Sequence, residues 1–206
     1  MKPAVLCVTR DVLDIQDGTY IIPKCISDIP EDSYHFINRA VCDSEDYDKI
    51  GYALPQILGY VIIKCGNQVL TYARKGGEGR LHGLRSLGIG GHVDIDDFDI
   101  TAANPYLNAL RVSIEREVWE EVKYPARIGT TQLDSLIVDT SNSVGKVHLG
   151  VPVILEVEST HSLNADPSEI LDPRWVDIES LQYDRHEYEN WSQLIIDLLS
   201  ASSNLH

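Results

Sequence analysis

Arg116-Glu-Val-Trp-Glu-Glu121 is the stretch on which the interpretation of this chain depends. Its glutamates, Glu117, Glu120 and Glu121, stand at i, i+3 and i+4, so in a helix they project from one face. Three like charges on one face repel each other, which a stable domain tolerates on a solvated surface or beside cations. Carboxylate oxygens are the ligands that Mg2+ and Mn2+ prefer. Taken alone, the stretch is a weak signal, because charge runs on helices are usually ordinary solvated faces.

The neighbouring residues predict a helix preceded by a glycine-rich strand. Apolar residues recur at spacings of three and four over residues 107–122, which predicts a helix. Upstream, Leu87-Gly-Ile-Gly-Gly-His-Val93 has the pattern of an apolar strand, and its glycines indicate that another group approaches the backbone closely. Backbone carbonyls and amides there could face metals and phosphates, with a β-bulge as the alternative.

Further elements follow from local patterns. Apolar residues on either side of Gly66-Asn67 predict a β-hairpin of residues 59–64 and 68–74. Later strands are predicted at residues 132–138, 146–158 and 174–176. An amphipathic helix is predicted at residues 188–199, with a buried face of Trp191, Leu194, Ile195, Leu198 and Leu199. This order predicts an α/β fold with a mixed sheet covered by helices.

Length and charge narrow the class of protein and of partner. At 206 residues and 43% hydrophobic content, one globular domain with elaborations is expected. The formal charge of -15 opposes binding to long nucleic acid or to an anionic membrane, whereas a small phosphorylated substrate remains compatible. The sequence lacks a secretory or membrane-spanning pattern, which predicts a cytoplasmic location. Residues 1–50 are expected to form an N-terminal extension or added lobe packed on a core of residues 51–206.

The glycine strand and the glutamate helix together resemble the Nudix hydrolase signature, G-x5-E-x7-R-E-U-x-E-E-x-G-U, in which U is bulky and apolar. Gly91 begins the match, Asp97 takes the position of the first glutamate, and Arg116 begins the second half. The resemblance covers about residues 56–200. Within the family, the run from Leu87 to His92 is similar to the corresponding run in a bacterial group of predicted phosphoesterases.

The chain departs from the signature at three places. Between Asp97 and Arg116 stand 18 residues instead of seven, so about 11 are inserted, in a loop where extra length costs little entropy. Counted back along the helix instead, Asn108 takes the first acidic position. Lys123 and Tyr124 replace the final glycine and apolar residue, and Pro125 could supply the helix stop.

The resemblance implies a Nudix α/β/α sandwich with a mixed β-sheet and a metal-dependent hydrolase. The implied reaction cleaves a phosphoanhydride (pyrophosphate) bond in a nucleoside diphosphate derivative or a related small phosphorylated compound. Glu117 and Glu121 would hold Mg2+, with Mn2+ as the alternative, and Glu120 would be a further ligand or act through metal-bound water. The Gly91 carbonyl would complete the ligands. Arg116 would orient the helix by pairing with Asp97 or Asp94, or would form a surface ion pair.

Other candidate residues are less constrained by the sequence. The guanidinium groups of Arg74 and Arg80, with Lys75 beside them, could bind substrate phosphate. They could equally belong to a solvated loop. His92 could contact substrate or bond locally. An accessory acid or base is expected among three acidic residues, each of which could equally serve another role, namely Asp97, Glu158 and Glu169.

Two rival functions remain compatible with these residues. The interrupted signature favours a non-catalytic Nudix-fold module that binds a nucleotide or regulates, and the intact glutamate triad argues against it. An isomerase acting on a phosphorylated isoprenoid would need a reactive cysteine in the pocket, and Cys65, just before the hairpin turn, is poorly placed for that. The family resemblance also makes a homodimer an expectation. Substrate, leaving group and the role of the insertion are not specified by the sequence.

Overall fold

A computed structural model of the chain describes residues 3–42, 50–74, 83–128 and 133–203. The strands are β1 (Ala4–Val8), β2 (Thr19–Pro23), β3 (Tyr34–Asn38), β4 (Gln56–Cys65), β5 (Gln68–Arg74), β6 (Arg85–Ser86), β7 (Gly88–His92), β8 (Ser135–Asp139), β9 (His148–Glu156) and β10 (Ile170–Asp177). The α-helices are α1 (Arg39–Cys42), α2 (Pro105–Val122), α3 (Ser143–Lys146) and α4 (Asn190–Ser203). No helix among these residues is long and apolar enough to cross a membrane.

The chain divides into two compact units. The first comprises Met1–Tyr60, Gly90–Ile114 and Ile128–Pro152, and the second comprises Val61–Ile89, Glu115–Arg127 and Val153–His206. Strands β4, β7 and β9 and helix α2 each contribute residues to both units.

Strands from the N-terminal part of the chain belong to the sheet of the first unit. Strand β1 pairs antiparallel with β3 along its whole length and with β4 at Cys7 and Gln56. Strand β2 pairs antiparallel with β8, which in turn pairs with β9. The last four residues of β1 are fully buried, so this strand is part of the core. The domain boundary expected between residues 50 and 51 stays a prediction.

The second unit contains the predicted hairpin. Strands β4 and β5 pair antiparallel with Cys65 opposite Gln68, and Gly66 in the turn has φ of +56°. Positive φ is accessible to glycine without strain, which explains its place in the turn. Strand β5 also pairs antiparallel with β6 and β10. Strand β10 begins at Ile170, four residues before the predicted start.

Strands β4 and β9 are neighbours that run in the same direction. At their starts, the Gln56 amide donates to the Val147 carbonyl at 2.8 Å. At their ends, the Val157 amide donates to the Lys64 carbonyl at 2.8 Å. Because the pairings described above are antiparallel, the sheet is mixed, as the sequence predicted.

Other predicted bounds also differ from the structure. Strand β8 begins at Ser135 rather than at residue 132, which lies outside the described residues. Strand β9 begins at His148, because the preceding residues form α3, whose Gly145 amide donates to the side chain of Asn142 at 2.9 Å. Helix α4 begins at Asn190, after two residues that were predicted to be helical.

The predicted buried face of α4 is only partly confirmed, since Ile195 and Leu199 are buried while Trp191 and Leu194 are half-buried. Leu198 is 47% exposed, whereas Ile196 and Ser192 are fully buried. At 3.6 residues per turn, a face made of positions 192, 195, 196 and 199 excludes position 198. The apolar pattern alone did not distinguish the two faces, since leucine stands on both.

Helix α2 buries the predicted apolar stripe and approaches β4 closely. Four residues of this stripe are 0–1% exposed, namely Leu110, Ile114, Val118 and Val122. The helix starts two residues earlier than predicted, because the Asn104 side chain accepts a hydrogen bond from the Leu107 amide at 3.1 Å and Pro105 fits the first helical position. A Cβ atom on Gly59 would overlap the Ile114 side chain, so glycine is required where the helix crosses this strand.

The predicted close approach to the glycine strand is also visible. A Cβ atom on Gly90 would lie only 2.9 Å from the carbonyl oxygen of Gly59. The approaching group is therefore the backbone of β4, which makes a larger residue at position 90 sterically unfavourable.

Candidate functional site

The acidic face of α2 consists of the three glutamates singled out by the sequence. Glu117 and Glu121 are half-buried, and Glu120 is exposed. Val118 and Val122, which stand beside these glutamates in the same turns, are fully buried. The burial of the valines fixes the helix, so the three carboxylates face the same way, as their spacing predicts.

Arg116 pairs with two of these carboxylates. Its Nη1 atom lies 2.6 Å from Oε1 of Glu117 and 3.5 Å from Oε2 of Glu120. The guanidinium group therefore offsets part of the repulsion among the glutamates and orients two of them. The predicted pairing of Arg116 with Asp97 or Asp94 stays a prediction.

Asp94 and Asp97 form a reciprocal cap in the first unit. The Asp94 amide donates to Oδ2 of Asp97 at 2.9 Å, and the Asp94 side chain accepts from the Asp97 backbone, around the 3-10 turn Ile95–Asp97. Asp97 is 7% exposed. Its carboxylate thus helps to hold the chain where it leaves the glycine strand.

The glutamate face suits a divalent metal ion in donor type and spacing. Carboxylates at i, i+3 and i+4 supply hard oxygen ligands, which is the chemistry Mg2+ requires. Within the described ranges, however, no group of three or more acidic, histidine or cysteine side chains converges as a metal-binding cluster. The fit to a metal ion therefore rests on the donor type and helical spacing of the glutamates.

Gly91 and His92 lie at the end of β7 in the first unit. The His92 ring meets the His148 ring edge to face, with centroids 5.6 Å apart. His148 is itself oriented by a 2.8 Å contact between Nδ1 and the Val144 carbonyl. His92 thus has a local ring contact, while its predicted contact with substrate and the ligand role of Gly91 stay predictions.

The basic candidates on the hairpin fall largely outside the described part of the chain. The backbone of Arg74 pairs with Ile170 at the end of β5. The side chain of Arg74, and Lys75 and Arg80 as a whole, lie outside the described residues. Their predicted contacts with phosphate stay predictions.

The last turn of α2 has all its carbonyl groups hydrogen-bonded. Lys123 donates through its amide to Trp119 O at 3.0 Å and through Nζ to Glu120 O at 2.9 Å. The following loop supplies the other donors, from the Asp166 amide to Glu121 O at 2.7 Å and from the Asn164 amide to Val122 O at 2.9 Å. Since carbonyls at a helix end have no partner within the helix, this loop completes the end of α2.

Lys123 occupies a conformation that favours glycine. The helix ends at Val122, and Lys123 has φ of +53°. This is the left-handed conformation common after a helix, where glycine has no steric penalty. The sequence suggested Pro125 as the helix stop, but the stop occurs at Lys123, the position where the Nudix signature has glycine.

Lys123→Gly should stabilise the protein by about 1 kcal/mol, because a residue with a Cβ atom pays roughly that in the left-handed region. The loss of the Nζ hydrogen bond to Glu120 and of the 3.9 Å ion pair with Asp166 should offset only part of this gain. Urea unfolding at equilibrium measures the difference. Lys123→Ala is the control, since it loses the ammonium group but keeps the strain, and it should not be stabilised.

Glu169 extends from the loop that completes α2. Asp166 accepts at Oδ1 from the Ser168 amide at 2.9 Å and from the Ser168 hydroxyl at 2.7 Å, which closes a tight turn. The Glu169 amide donates to Asp166 O at 3.1 Å. The exposed carboxylate of Glu169 therefore comes from a turn tied directly to the backbone of Glu121. Asp166, which holds this turn, was missed by the sequence reasoning, although an Asp-x-Ser pattern is typical of such turns.

The chain beyond Glu169 is fixed by a second cluster. Asp172 has φ of +46° at an irregularity of β10 between Leu171 and Arg174. Its Oδ2 atom lies 2.7 Å from Arg174 Nη2 and 2.9 Å from Arg85 Nη1. Hydrogen bonds from Arg174 and Arg85 lower the pKa of the Asp172 carboxyl. The segment bearing Glu169 is thus anchored on both sides.

Comparisons with known proteins relate this chain to proteins of similar sequence and fold. No family model matches the chain. The chain is 31% identical to Protein YmaB of Bacillus subtilis (strain 168) over 174 residues, which cover 82% of this chain and 80% of that protein. A match of this identity and coverage is sufficient to assign a family.

Solved structures with the same fold include three informative ones. Tm1382, described as a candidate Nudix hydrolase, matches with a TM-score of 0.68 and 24% identity over 95% of this chain and 97% of its own. A Nudix hydrolase from Alicyclobacillus acidocaldarius has a TM-score of 0.50 and 12% identity, over 71% of this chain and 91% of its own. A bifunctional NMN adenylyltransferase/ADP ribose pyrophosphatase from Francisella tularensis, complexed with AMP and a manganese ion, has a TM-score of 0.51 and 13% identity, over 80% of this chain and 51% of its own.

Proposed function

Because this chain belongs to the same family as YmaB and has the Nudix hydrolase fold, we propose that it is a divalent-metal-dependent hydrolase of a phosphoanhydride bond. The predicted mixed-sheet α/β fold is confirmed, and this fold supports pyrophosphate hydrolysis in general. The proposed substrate is a nucleoside diphosphate derivative or a related small phosphorylated compound. The acidic face of α2 carries the proposal, because three carboxylates at i, i+3 and i+4 share one face of a helix that is anchored by its buried residues.

In the proposed reaction, the glutamates of α2 are the protein's main contribution. Glu117 and Glu121 would hold Mg2+ or Mn2+, with Glu120 as a further ligand or acting through bound water and the Gly91 carbonyl as the remaining protein ligand. A bound divalent ion lowers the pKa of its water and neutralises charge that develops on the phosphoryl group. Arg116 keeps Glu117 and Glu120 directed to one side of the helix, as its 2.6 and 3.5 Å contacts suggest.

Glu169 is the accessory base that we favour over Glu158 and Asp97. Its turn is hydrogen-bonded to the carbonyl of Glu121, which supports a fixed relation between the two residues. Asp97, by contrast, is buried and engaged in its own turn. A carboxylate on an anchored loop can accept a proton from the attacking water. Arg74, Arg80 and His92 are proposed to bind substrate phosphate oxygens.

Release of phosphate or nucleotide from a panel of substrates tests the proposal. The panel contains nucleoside triphosphates, dinucleotide cofactors and nucleotide sugars, each with Mg2+ and with Mn2+. The Francisella protein was solved with AMP and manganese, so adenine nucleotides with Mn2+ are measured first. The expected result is metal-dependent turnover by the wild type that Glu120→Gln strongly reduces.

Two other results would contradict the proposal. Turnover that persists without divalent metal would exclude this mechanism. Binding of a nucleotide without turnover of any substrate would instead support the non-catalytic nucleotide-binding module. A cytoplasmic location and a homodimer stay predictions that this experiment does not address.

A further inference from the structure

The insertion between Asp97 and Arg116 is held by aromatic contacts at both its ends. Phe98, which follows Asp97 directly, packs edge-on against Phe36 and is tilted against Tyr106, with both centroid distances 5.2 Å. Tyr106, in the first turn of α2, stacks on Tyr34 at 4.2 Å and 19°. Tyr34 and Phe36 stand at i and i+2 in β3, so they share one face of that strand. We call Tyr34, Phe36, Phe98 and Tyr106 the aromatic clasp.

The residues between the two ends of the insertion form a turn at the surface. Ile100 is 75% exposed. Asp99 accepts hydrogen bonds from the Thr101 amide at 2.9 Å and from the Thr101 hydroxyl at 2.6 Å, which closes the turn locally. Because Phe98 and Tyr106 are in ring contact, most of the extra length is looped out. The connection between the glycine segment and α2 is therefore short in space despite the insertion.

The N-terminal strands connect the clasp to the glycine segment. In the pairing of β1 with β3, Leu6 stands opposite Phe36. The Leu6 amide donates to the Val93 carbonyl at 2.8 Å, and Val5 forms a bridge with Asp94. Tyr34 is 7% exposed and donates its hydroxyl to the Ile26 carbonyl at 2.7 Å. Burial raises the pKa of this phenol well above its usual value, so it stays neutral and keeps donating.

We propose that the aromatic clasp positions residues 91–97 against the start of α2, so that the insertion in the Nudix signature does not displace the Gly91 carbonyl, the metal ligand proposed above. Phe98 and Tyr106 are positioning residues in this role, because they act through the Gly91 carbonyl and the Asp94–Asp97 turn. Both ends of the inserted segment meet one face of β3, and β1 hydrogen-bonds to the segment directly after Gly91 and His92. The metal part of the inference rests on the proposed function.

Mn2+ binding to the metal-free full-length chain tests the inference without an activity measurement. Isothermal titration calorimetry compares the wild type with Phe98→Ala and Tyr106→Ala. Each variant should bind Mn2+ about tenfold more weakly, as is typical when a group that orients metal ligands is lost. Ile100→Ala is the matched control within the same insertion and should bind like the wild type. Tyr106→Phe, which keeps the stacked ring, should bind Mn2+ with wild-type affinity.

Hydrogen exchange distinguishes a local loss of order in residues 93–98 from unfolding of the whole chain. Amides of residues 93–98 should exchange faster in Phe98→Ala, while those of β5 and β10 keep their protection. If the alanine variants do not fold, Phe98→Leu is measured instead, because it keeps apolar volume but loses the ring contacts. A folded clasp variant with wild-type Mn2+ affinity and unchanged exchange would overturn the inference. If the wild type binds no Mn2+, the proposed function fails. In that case the positioning role is tested by hydrogen exchange alone, and unchanged exchange of residues 93–98 in Phe98→Ala would overturn it.

Discussion

Glu121→Gln is expected to lower kcat/KM by about 10²–10³-fold, the loss typical when one preorganised electrostatic contact to the transition state is removed. Glutamine has the shape of glutamate, so the half-buried position is kept while the negative charge is lost. A neutral amide oxygen binds Mg2+ much more weakly than a carboxylate does. Glu117→Gln should behave similarly. Steady-state kinetics at saturating metal, with the best substrate of the panel, measure both variants.

Glu115→Gln is the matched control on the same helix. At 100° per residue, position 115 lies on the opposite side of α2 from Glu117 and Glu121. Its carboxylate is 4.0 Å from Nη1 of the exposed Arg127, a contact typical of a weak surface ion pair. We expect kcat/KM to stay within about twofold of the wild type, as for surface substitutions away from a site. Equal losses in Glu115→Gln and Glu121→Gln would contradict the assignment of the acidic face.

Although Glu121→Gln is expected to lower activity, it should not lower the stability of the metal-free fold. Removing one of three like charges from a helix face relieves repulsion of a few tenths of a kcal/mol. The melting temperature of metal-free Glu121→Gln should therefore be equal to or above that of the wild type. A marked decrease would instead show that the activity loss reflects unfolding rather than a missing ligand.

Local patterns in the sequence predicted the elements that surround the glutamates. The spacing of Leu110, Ile114, Val118 and Val122 determines both the helix and its buried face, since burial repeats with the helical period. The hairpin is equally local, because Gly66 closes a turn between two adjacent strands. Residue types and spacing on α2 were likewise sufficient to single out the acidic face.

Contacts between residues distant in sequence were not predictable from these patterns. Residues 1–50 were expected only as an N-terminal extension or added lobe, yet β1 is fully buried from Val5 to Val8 and pairs with β3 and β4. Strand pairing of this kind depends on partners that periodicity does not reveal. The aromatic clasp was missed for the same reason, since Phe36 and Phe98 are 62 positions apart.

Gly59→Ala is expected to destabilise the protein by about 1–3 kcal/mol, the usual cost of overpacking a core. The added Cβ would overlap Cγ1 of Ile114 and lie 3.2 Å from its Cδ1. Ile114 is 1% exposed, so its side chain cannot move into solvent. The helix would have to shift away from β4, three residues before Glu117. Displacements of about 1 Å at a catalytic group can cost 10²-fold in rate, so activity should decrease as well.

Removing the opposing side chain tests whether this contact is the cause. Ile114→Ala alone should cost about 2–5 kcal/mol, because it leaves a cavity in the core. In the double variant the new methyl group occupies part of that cavity, so the total cost should be clearly smaller than the sum of the single costs. Urea unfolding of the wild type, Gly59→Ala, Ile114→Ala and the double variant measures the coupling free energy between the two positions. Additive costs would mean that Gly59 is needed for a reason other than the close approach of α2, and the position of the glutamate helix would then depend on other contacts.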